Sequence, residues 1–288
     1  MVVRFNFLSQ SLMKQTNVTM ILPSWDAMDG FKGKAESYLP GTKFQTLYLY
    51  HGGTGDDSDY INFSNIIRYA NDNKIAVIMP SGYNSGYAND GPEKLPWQAK
   101  YWDYIFDELP KVCAAMFPVS DRPEDTFVAG LSMGAIATAK WVAYGAERIN
   151  TALMMSGGGM DVDKIMAVVN QYNNGSTDFE LDYELDYEEL EKKGMKLIDP
   201  DSDLYQQLRR NVSEGKKLPK ILMTCGGNDF IRSFAVESKN LLVQYGYDVT
   251  YEEVPGYTHE WDFWDLSLRK ALYEWLPIRH EVILEKSE

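Results

Sequence analysis

Thr126-Phe127-Val128-Ala129-Gly130-Leu131-Ser132-Met133-Gly134-Ala135-Ile136-Ala137-Thr138-Ala139 is the stretch that decides how this chain folds. A short apolar run gives way, across Gly130 to Gly134, to a run of small helix-forming residues. That pattern predicts strand, sharp turn and helix, with Ser132 at the apex. A Gly-x-Ser-x-Gly turn holds its serine in a strained backbone conformation, and the flanking glycines let strand, helix and substrate approach closely. The hydroxyl would stand at the top of a sheet, with the Met133 amide placed to donate to an oxyanion. The competing reading is a serine that caps a helix in a glycine-rich turn. Partners elsewhere in the chain have to decide between the two.

Outward from this turn the same alternation repeats. Gln45–Tyr50, Lys74–Met79, Asp125–Ala129, Thr151–Met155 and Lys220–Thr224 are short, nearly continuous apolar runs, each followed by glycine, proline or a polar turn. Such runs suit strands buried on both faces of a parallel sheet. Asp59 to Asn71, Trp97 to Met116 (interrupted or offset at Pro110) and Glu260 to Leu276 read as helices. The first forty residues instead alternate apolar and polar positions, as in Val3-Arg4-Phe5-Asn6-Phe7 and Asn17 to Leu22, which predicts paired antiparallel edge strands. The expected architecture is α/β: a mostly parallel, doubly wound sheet with N-terminal antiparallel strands and ligands beyond the carboxyl ends of the strands. Residues 1–288 read as one such domain. Within it, residues 161–215 read as an insertion, strongly acidic from Asp178 to Glu191, that forms either a cap or a solvated excursion.

Composition narrows the partners. The 288 residues carry a formal net charge of −14, so long-range repulsion disfavours nucleic acid, anionic membrane surfaces and polyanionic substrates. No uncharged run approaches the roughly 18 residues of a membrane span. Cys113 and Cys225 fit no metal-ligand spacing or disulfide framework and read as small core side chains. The expectation is a reduced, cytoplasmic protein with no required metal or organic cofactor; assembly into a homo-oligomer stays open.

A serine hydroxyl needs a histidine base, and the base needs a carboxylate to orient it. His259, in Pro255-Gly256-Tyr257-Thr258-His259-Glu260-Trp261, follows the strand-like run Asp248–Val254 and sits where a base belongs. His280 falls in a charged tail and reads as solvated. His51, in His51-Gly52-Gly53-Thr54-Gly55, reads as a structural group under its loop. The glycines after it let an amide, Gly53 or failing that Thr54, act as the second oxyanion donor beside Met133. A phosphate loop there lacks the Lys-Ser/Thr pair, and Asp56, Asp57 and Asp59 would repel phosphate. Asp229, on the turn after Lys220–Thr224, is the candidate carboxylate. Asp262 reads as a helix N-terminal charge, and Asp201 and Asp203 lie in the insertion. Ser132, Asp229, His259 is the chain order of α/β-hydrolases.

With these residues in view the chain resembles the esterase D branch of the α/β-hydrolases, which includes tributyrin esterases, S-formylglutathione hydrolases, feruloyl and acetyl esterases and mycolyltransferases. The resemblance runs through Leu47–Gly52, Glu108-Leu109-Pro110, Gly130–Gly134, Gly226-Gly227-Asn228-Asp229 and His259–Trp264. It departs at Ala135, where the family usually has another glycine. It implies nucleophile Ser132, acid Asp229, base His259, oxyanion amides at Gly53 and Met133, and a small-molecule ester as substrate. The expected activity is hydrolysis of short-chain, aryl or carbohydrate-linked esters through an acyl-enzyme. An S-formylglutathione-type thioesterase or an acyltransferase is the near alternative, and a non-catalytic binding module on the same scaffold the distant one. Aromatics in Ser81–Tyr87, at Trp97, Tyr101 and Trp102, and at Trp261 and Trp264 are candidates to wall an acyl or sugar pocket.

Overall fold

The computed structural model describes residues 1–24, 31, 40–89, 99–159, 192 and 197–284. The strands are β1 (Val2–Ser9), β2 (Lys14–Ile21), β3 (Thr42–Lys43), β4 (Gln45–Tyr50), β5 (Ile75–Pro80), β6 (Thr126–Leu131), β7 (Thr151–Met155), β8 (Lys220–Gly226), β9 (Val249–Val254) and β10 (Ile283–Leu284). Eight of them form one sheet in the order β1-β2-β5-β4-β6-β7-β8-β9, and β3 pairs with β10 in a separate ribbon. From β5 to β9 every pairing is parallel, while β1 and β2 attach antiparallel at one edge. This is the α/β architecture expected from the alternation of apolar runs, with the antiparallel pair where the period-2 pattern stood.

The central strands are buried along their whole length because both faces are covered. Alternate residues serve opposite layers. Tyr48, Tyr50, Val128, Ala152 and Met154 meet one core with Tyr104, Trp141 and Tyr205, whereas Leu47, Leu49, Phe127, Leu153 and Met155 meet the other with Tyr60, Tyr69, Phe263 and Leu268. The helices that cover them are α1 (Asp59–Phe63), α2 (Ile66–Asn73), α3 (Leu109–Met116), α4 (Met133–Tyr144), α5 (Asp203–Ser213), α6 (Arg232–Tyr245) and α7 (Trp261–Lys270).

Three helices differ in detail from the sequence reading. The segment expected as one helix from Asp59 to Asn71 is split at Ser64-Asn65, where Ser64 is extended and its hydroxyl donates to the Tyr60 carbonyl. Asp265, from α7, accepts the Asn65 amide at 2.7 Å, so local bonding by Ser64 together with this long-range contact outcompetes helix continuation. The offset expected at Pro110 takes the form of a π-helical stretch, Tyr104–Glu108, leading into α3. Proline cannot donate to the Phe106 carbonyl four residues back, and Arg148 Nη2 donates to that oxygen instead at 2.9 Å. After Lys270, the last helix also loosens into a π stretch, Ala271–Trp275, before Pro277.

Glu108 works beyond its own helix. Its carboxylate accepts the Ser9 hydroxyl and the Gln10 and Ser11 amides at 2.6, 2.7 and 3.0 Å, clamping the β1–β2 turn. Partial burial pushes its pKa up, but these donors more than offset that, and the net shift is downward.

Most of the acidic insertion, including Asp178 to Glu191, lies outside the described residues. Its last part, from Leu197 to Gly215, holds α5, which buries Tyr205 and Leu208 in the sheet's core. Asn211 Nδ2 donates to the Ala143 carbonyl at the end of α4 at 2.7 Å. That part is therefore a helix of the covering layer between β7 and β8.

Candidate active site

Because β4 to β9 run parallel, the loops after them share one rim of the sheet, and Ser132, Asp229, His259 and the His51–Gly55 loop fall on that rim. Ser132 follows β6 with φ 52° and ψ −116°, a conformation side chains rarely adopt. The turn around it is fixed by contact. A Cβ at Gly134 would overlap the Tyr50 carbonyl and lie 2.9 Å from the His51 oxygen, and one at Gly130 would overlap the Gly134 backbone. The Ser132 amide donates to the Met155 carbonyl at 2.9 Å, tying the apex to β7. The Ser132 side chain makes no capping bond to α4. The capping-serine reading thus loses the bond that defines it, and the Met133 amide opens the helix without an intrahelical partner.

Asp229 and His259 are brought together. His259 Nδ1 lies 3.0 Å from Asp229 Oδ1 and 3.1 Å from Oδ2, and the Asp229 side chain is completely buried. Oδ1 also accepts the Ile231 amide at 3.0 Å. A buried carboxylate that accepts in this way selects the tautomer with its proton on Nδ1, leaving Nε2 as the basic nitrogen. The Gly226 turn brings the two loops within reach: a Cβ there would stand 2.5 Å from the Tyr257 carbonyl oxygen.

The imidazole is flanked by Phe230, with ring centroids 4.7 Å apart, and by Trp264, at 4.9 Å and perpendicular. Trp264 Nε1 in turn donates to Ser156 Oγ at 2.9 Å in the core. Ser156 adjoins Met155, whose carbonyl receives the Ser132 amide. His259 and Ser132 are therefore linked across the rim through Trp264, Ser156 and Met155.

The glycine-rich loop lies against Ser132: a Cβ on Gly52 would be 3.5 Å from Ser132 Cβ. Gly53 is exposed and open, with nothing within 4 Å of its Cβ position. Thr54, the second candidate donor, has its amide engaged at 2.6 Å by Asn84 Oδ1. His51 is buried at 1% exposure; the Gly82 amide donates to Nε2 at 2.7 Å, so Nδ1 carries the proton toward the Gly52 carbonyl, also 2.7 Å away. Burial lowers its pKa, and both ring nitrogens are committed to loop structure.

The remaining candidates sit apart from this centre. His280 is exposed, Asp262 stands in the first turn of α7, and Asp201 pairs with Arg209. Asp57 accepts the Thr19 and Ser81 hydroxyls, a structural use that no motif announced. Cys113 and Cys225 are free and buried; burial pushes the Cys113 thiol up to about 12 and raises that of Cys225 as well. Trp97 lies outside the described residues. Among the described residues, no group of three or more His, Cys, Asp or Glu side chains is placed to hold a metal ion, and no helix is long and apolar enough to cross a membrane.

Residues 35–274 match the family described as "Putative esterase". The chain belongs to this esterase family. The esterase is 29% identical over 276 residues to an acetyl esterase of Caldicellulosiruptor saccharolyticus, covering 96% of this chain and 97% of the relative. Its fold matches the substrate-bound structure of FphF, the fluorophosphonate-binding serine hydrolase F of Staphylococcus aureus, with a TM-score of 0.73 and 27% identity over 96% of this chain and 98% of that one. It also matches the S-formylglutathione hydrolase of Staphylococcus aureus, with a TM-score of 0.69 and 25% identity over 96% of each chain. The esterase is thus a hydrolase of carboxylic esters on the α/β-hydrolase fold, in the branch its motifs resemble.

Proposed function

We propose that this esterase is a serine carboxylesterase acting on short-chain, aryl or carbohydrate-linked esters, with Ser132 as nucleophile, His259 as base and Asp229 as its orienting acid. The observation that carries the reading is the buried Asp229 carboxylate on His259 Nδ1, at the same rim as an uncapped serine with φ 52°.

His259 Nε2 takes the Ser132 proton as Oγ attacks the ester carbonyl carbon. The carbonyl electron pair moves onto oxygen, where the Gly53 and Met133 amides donate to it. The intermediate collapses, the C–O bond to the alcohol breaks, and the imidazolium returns its proton to the leaving oxygen. Water then attacks the acyl-enzyme, giving a proton to Nε2; the acid departs, and Ser132 recovers its proton. Asp229 holds the imidazole in place and balances the imidazolium. The 29% identical acetyl esterase supports a small acyl group.

An S-formylglutathione-type thioesterase is favoured by the 25% identical neighbour of known structure, but both cysteines are free and buried. The free thiols and the charge of −14 support a reducing, cytoplasmic setting with a small-molecule partner. The test is labelling by a fluorophosphonate probe together with turnover of p-nitrophenyl acetate. Wild type is expected to show both and Ser132→Ala neither, whereas wild type inert to both points to a binding module. A panel of acetyl, butyryl, feruloyl and formyl-glutathione esters separates esterase from thioesterase.

A further inference from the structure

Gly53 lies between two anchored residues, and both anchors come from the loop after β5. On one side, His51 is held by the Gly82 amide on Nε2 at 2.7 Å and by the Tyr87 hydroxyl on its carbonyl oxygen at 3.2 Å, both buried. On the other side, the Thr54 amide is held at 2.6 Å by Asn84 Oδ1, at the surface. Thr54 has φ 63°, a left-handed conformation that its branched Cβ makes costly. Such a residue persists only when its surroundings hold it there, and the Asn84 carbonyl is the group bonded to its amide. The donor loop itself carries left-handed Tyr83, Gly86 and Tyr87, so its shape is also specified.

We infer that Asn84 is a positioning residue of the oxyanion hole: its side-chain carbonyl holds the Gly53–Thr54 peptide through the Thr54 N–H, and so restricts the Gly53 backbone from its far side and steadies the Gly53 amide for the oxyanion. This deepens the proposed function and rests on it. Asn84 also takes the Thr54 amide out of competition, so of the two candidate donors Gly53 and Thr54 the Gly53 amide is left to donate. Oxyanion stabilisation depends on donors held in place before charge develops, and a displacement of about 1 Å lowers rate by up to about 100-fold. Ground-state binding needs no such aim. The bond is exposed, so its loss costs little folding stability.

The test compares wild type, Asn84→Ala and Asn84→Asp on p-nitrophenyl acetate, with phenylboronic acid as a tetrahedral analogue. Asn84→Ala is expected to lower kcat by about 10- to 100-fold with KM within about twofold, and to weaken phenylboronic acid in proportion to kcat/KM. Asn84→Asp keeps an acceptor at the same place and is expected to recover kcat to within about threefold of wild type. The melting temperature should stay within about 2 °C for both. An Asn84→Ala enzyme with unchanged kcat overturns the inference, as does a loss that the aspartate does not recover or that appears in KM alone. If Ser132→Ala still turns over substrate, or wild type takes no fluorophosphonate, the triad reading fails and takes this one with it. A dead Ser132→Ala beside a fully active Asn84→Ala leaves the triad standing and removes only the role of Asn84.

Discussion

Replacing Asp229 with asparagine changes one atom of the buried contact, and the hydrogen-bond geometry dictates the result. Oδ1 receives both the Ile231 amide and His259 Nδ1 at 3.0 Å, so the asparagine oxygen must keep that place. The new NH2 group then occupies the Oδ2 position, 3.1 Å from Nδ1. Either two N–H groups oppose each other, or the imidazole moves its proton to Nε2 and ceases to be a base. In the first case the imidazolium formed during attack also loses its buried counter-charge. The same change in the serine-protease triad lowers kcat by about 10⁴, which corresponds to about 5.4 kcal/mol of transition-state stabilisation at 1.36 kcal/mol per decade. The assay is kcat on p-nitrophenyl acetate for Asp229→Asn, read with 15N shifts of the His259 ring to identify the tautomer. A folded variant within tenfold of wild type would refute the assignment of Asp229 as the orienting acid.

Gly134→Ala is expected to destabilise the fold by about 3 kcal/mol and abolish turnover, because its methyl meets the Tyr50 and His51 carbonyls, which cannot swing aside. Gly53→Ala, with open space at its Cβ position, should leave the thermal midpoint within about 2 °C; calorimetry on the pair separates the two. Stability is expected to fall in two stages as pH drops. His51 has a lowered folded pKa, so its contribution is complete above its ordinary value of 6.5 and is lost as pH falls below it. Glu108 adds a second limb below its ordinary value of 4.5, and Glu108→Gln should flatten that limb while costing about 1–2 kcal/mol at neutral pH, measured by urea titration.

The parallel sheet was legible because its strands are covered on both faces and so read as unbroken apolar runs, and each ends in a punctuating turn. Ser132 and Asp229 were legible as candidates for the same reason, since they occupy the first turns after such runs, and His259 because its turn follows the edge strand β9. What the chain hid were contacts between residues distant in sequence. Trp264 reaches Ser156 across 108 positions, Asn84 reaches Thr54 across 30, and Glu108 reaches the Ser9–Ser11 turn across nearly 100. None has a periodicity or a spacing, since each depends on which loops the sheet order makes neighbours. Glu108 was quoted as part of a family motif without a role; its three donors supply one. The break at Ser64-Asn65 had a local signal in Ser64, whose hydroxyl bonds nearby backbone, which the apolar spacing outweighed.

Backbone strain is concentrated where the chemistry is. Of the eight non-glycine residues with positive φ among those described, Thr54, Tyr83, Tyr87, Ser132 and Ser156 follow the carboxyl ends of β4, β5, β6 and β7. Each such residue costs of order 1–3 kcal/mol, which the surrounding fold must offset. If that strain is retained for aim, relieving it should help the fold and harm the reaction. Thr54→Gly is the cleanest case, because Thr54 is exposed and only its backbone is anchored. Glycine enters the left-handed region freely but adds about 0.5–1 kcal/mol of unfolded-state freedom, so stability is expected to stay level or rise by up to about 1 kcal/mol. The peptide after Gly53 meanwhile loses its stiffness, and kcat should fall severalfold with KM unchanged. Chemical denaturation and steady-state kinetics on the same preparation decide it. A variant that gains both stability and kcat would show that the left-handed threonine serves neither, and that the cluster of strained residues is incidental to the site.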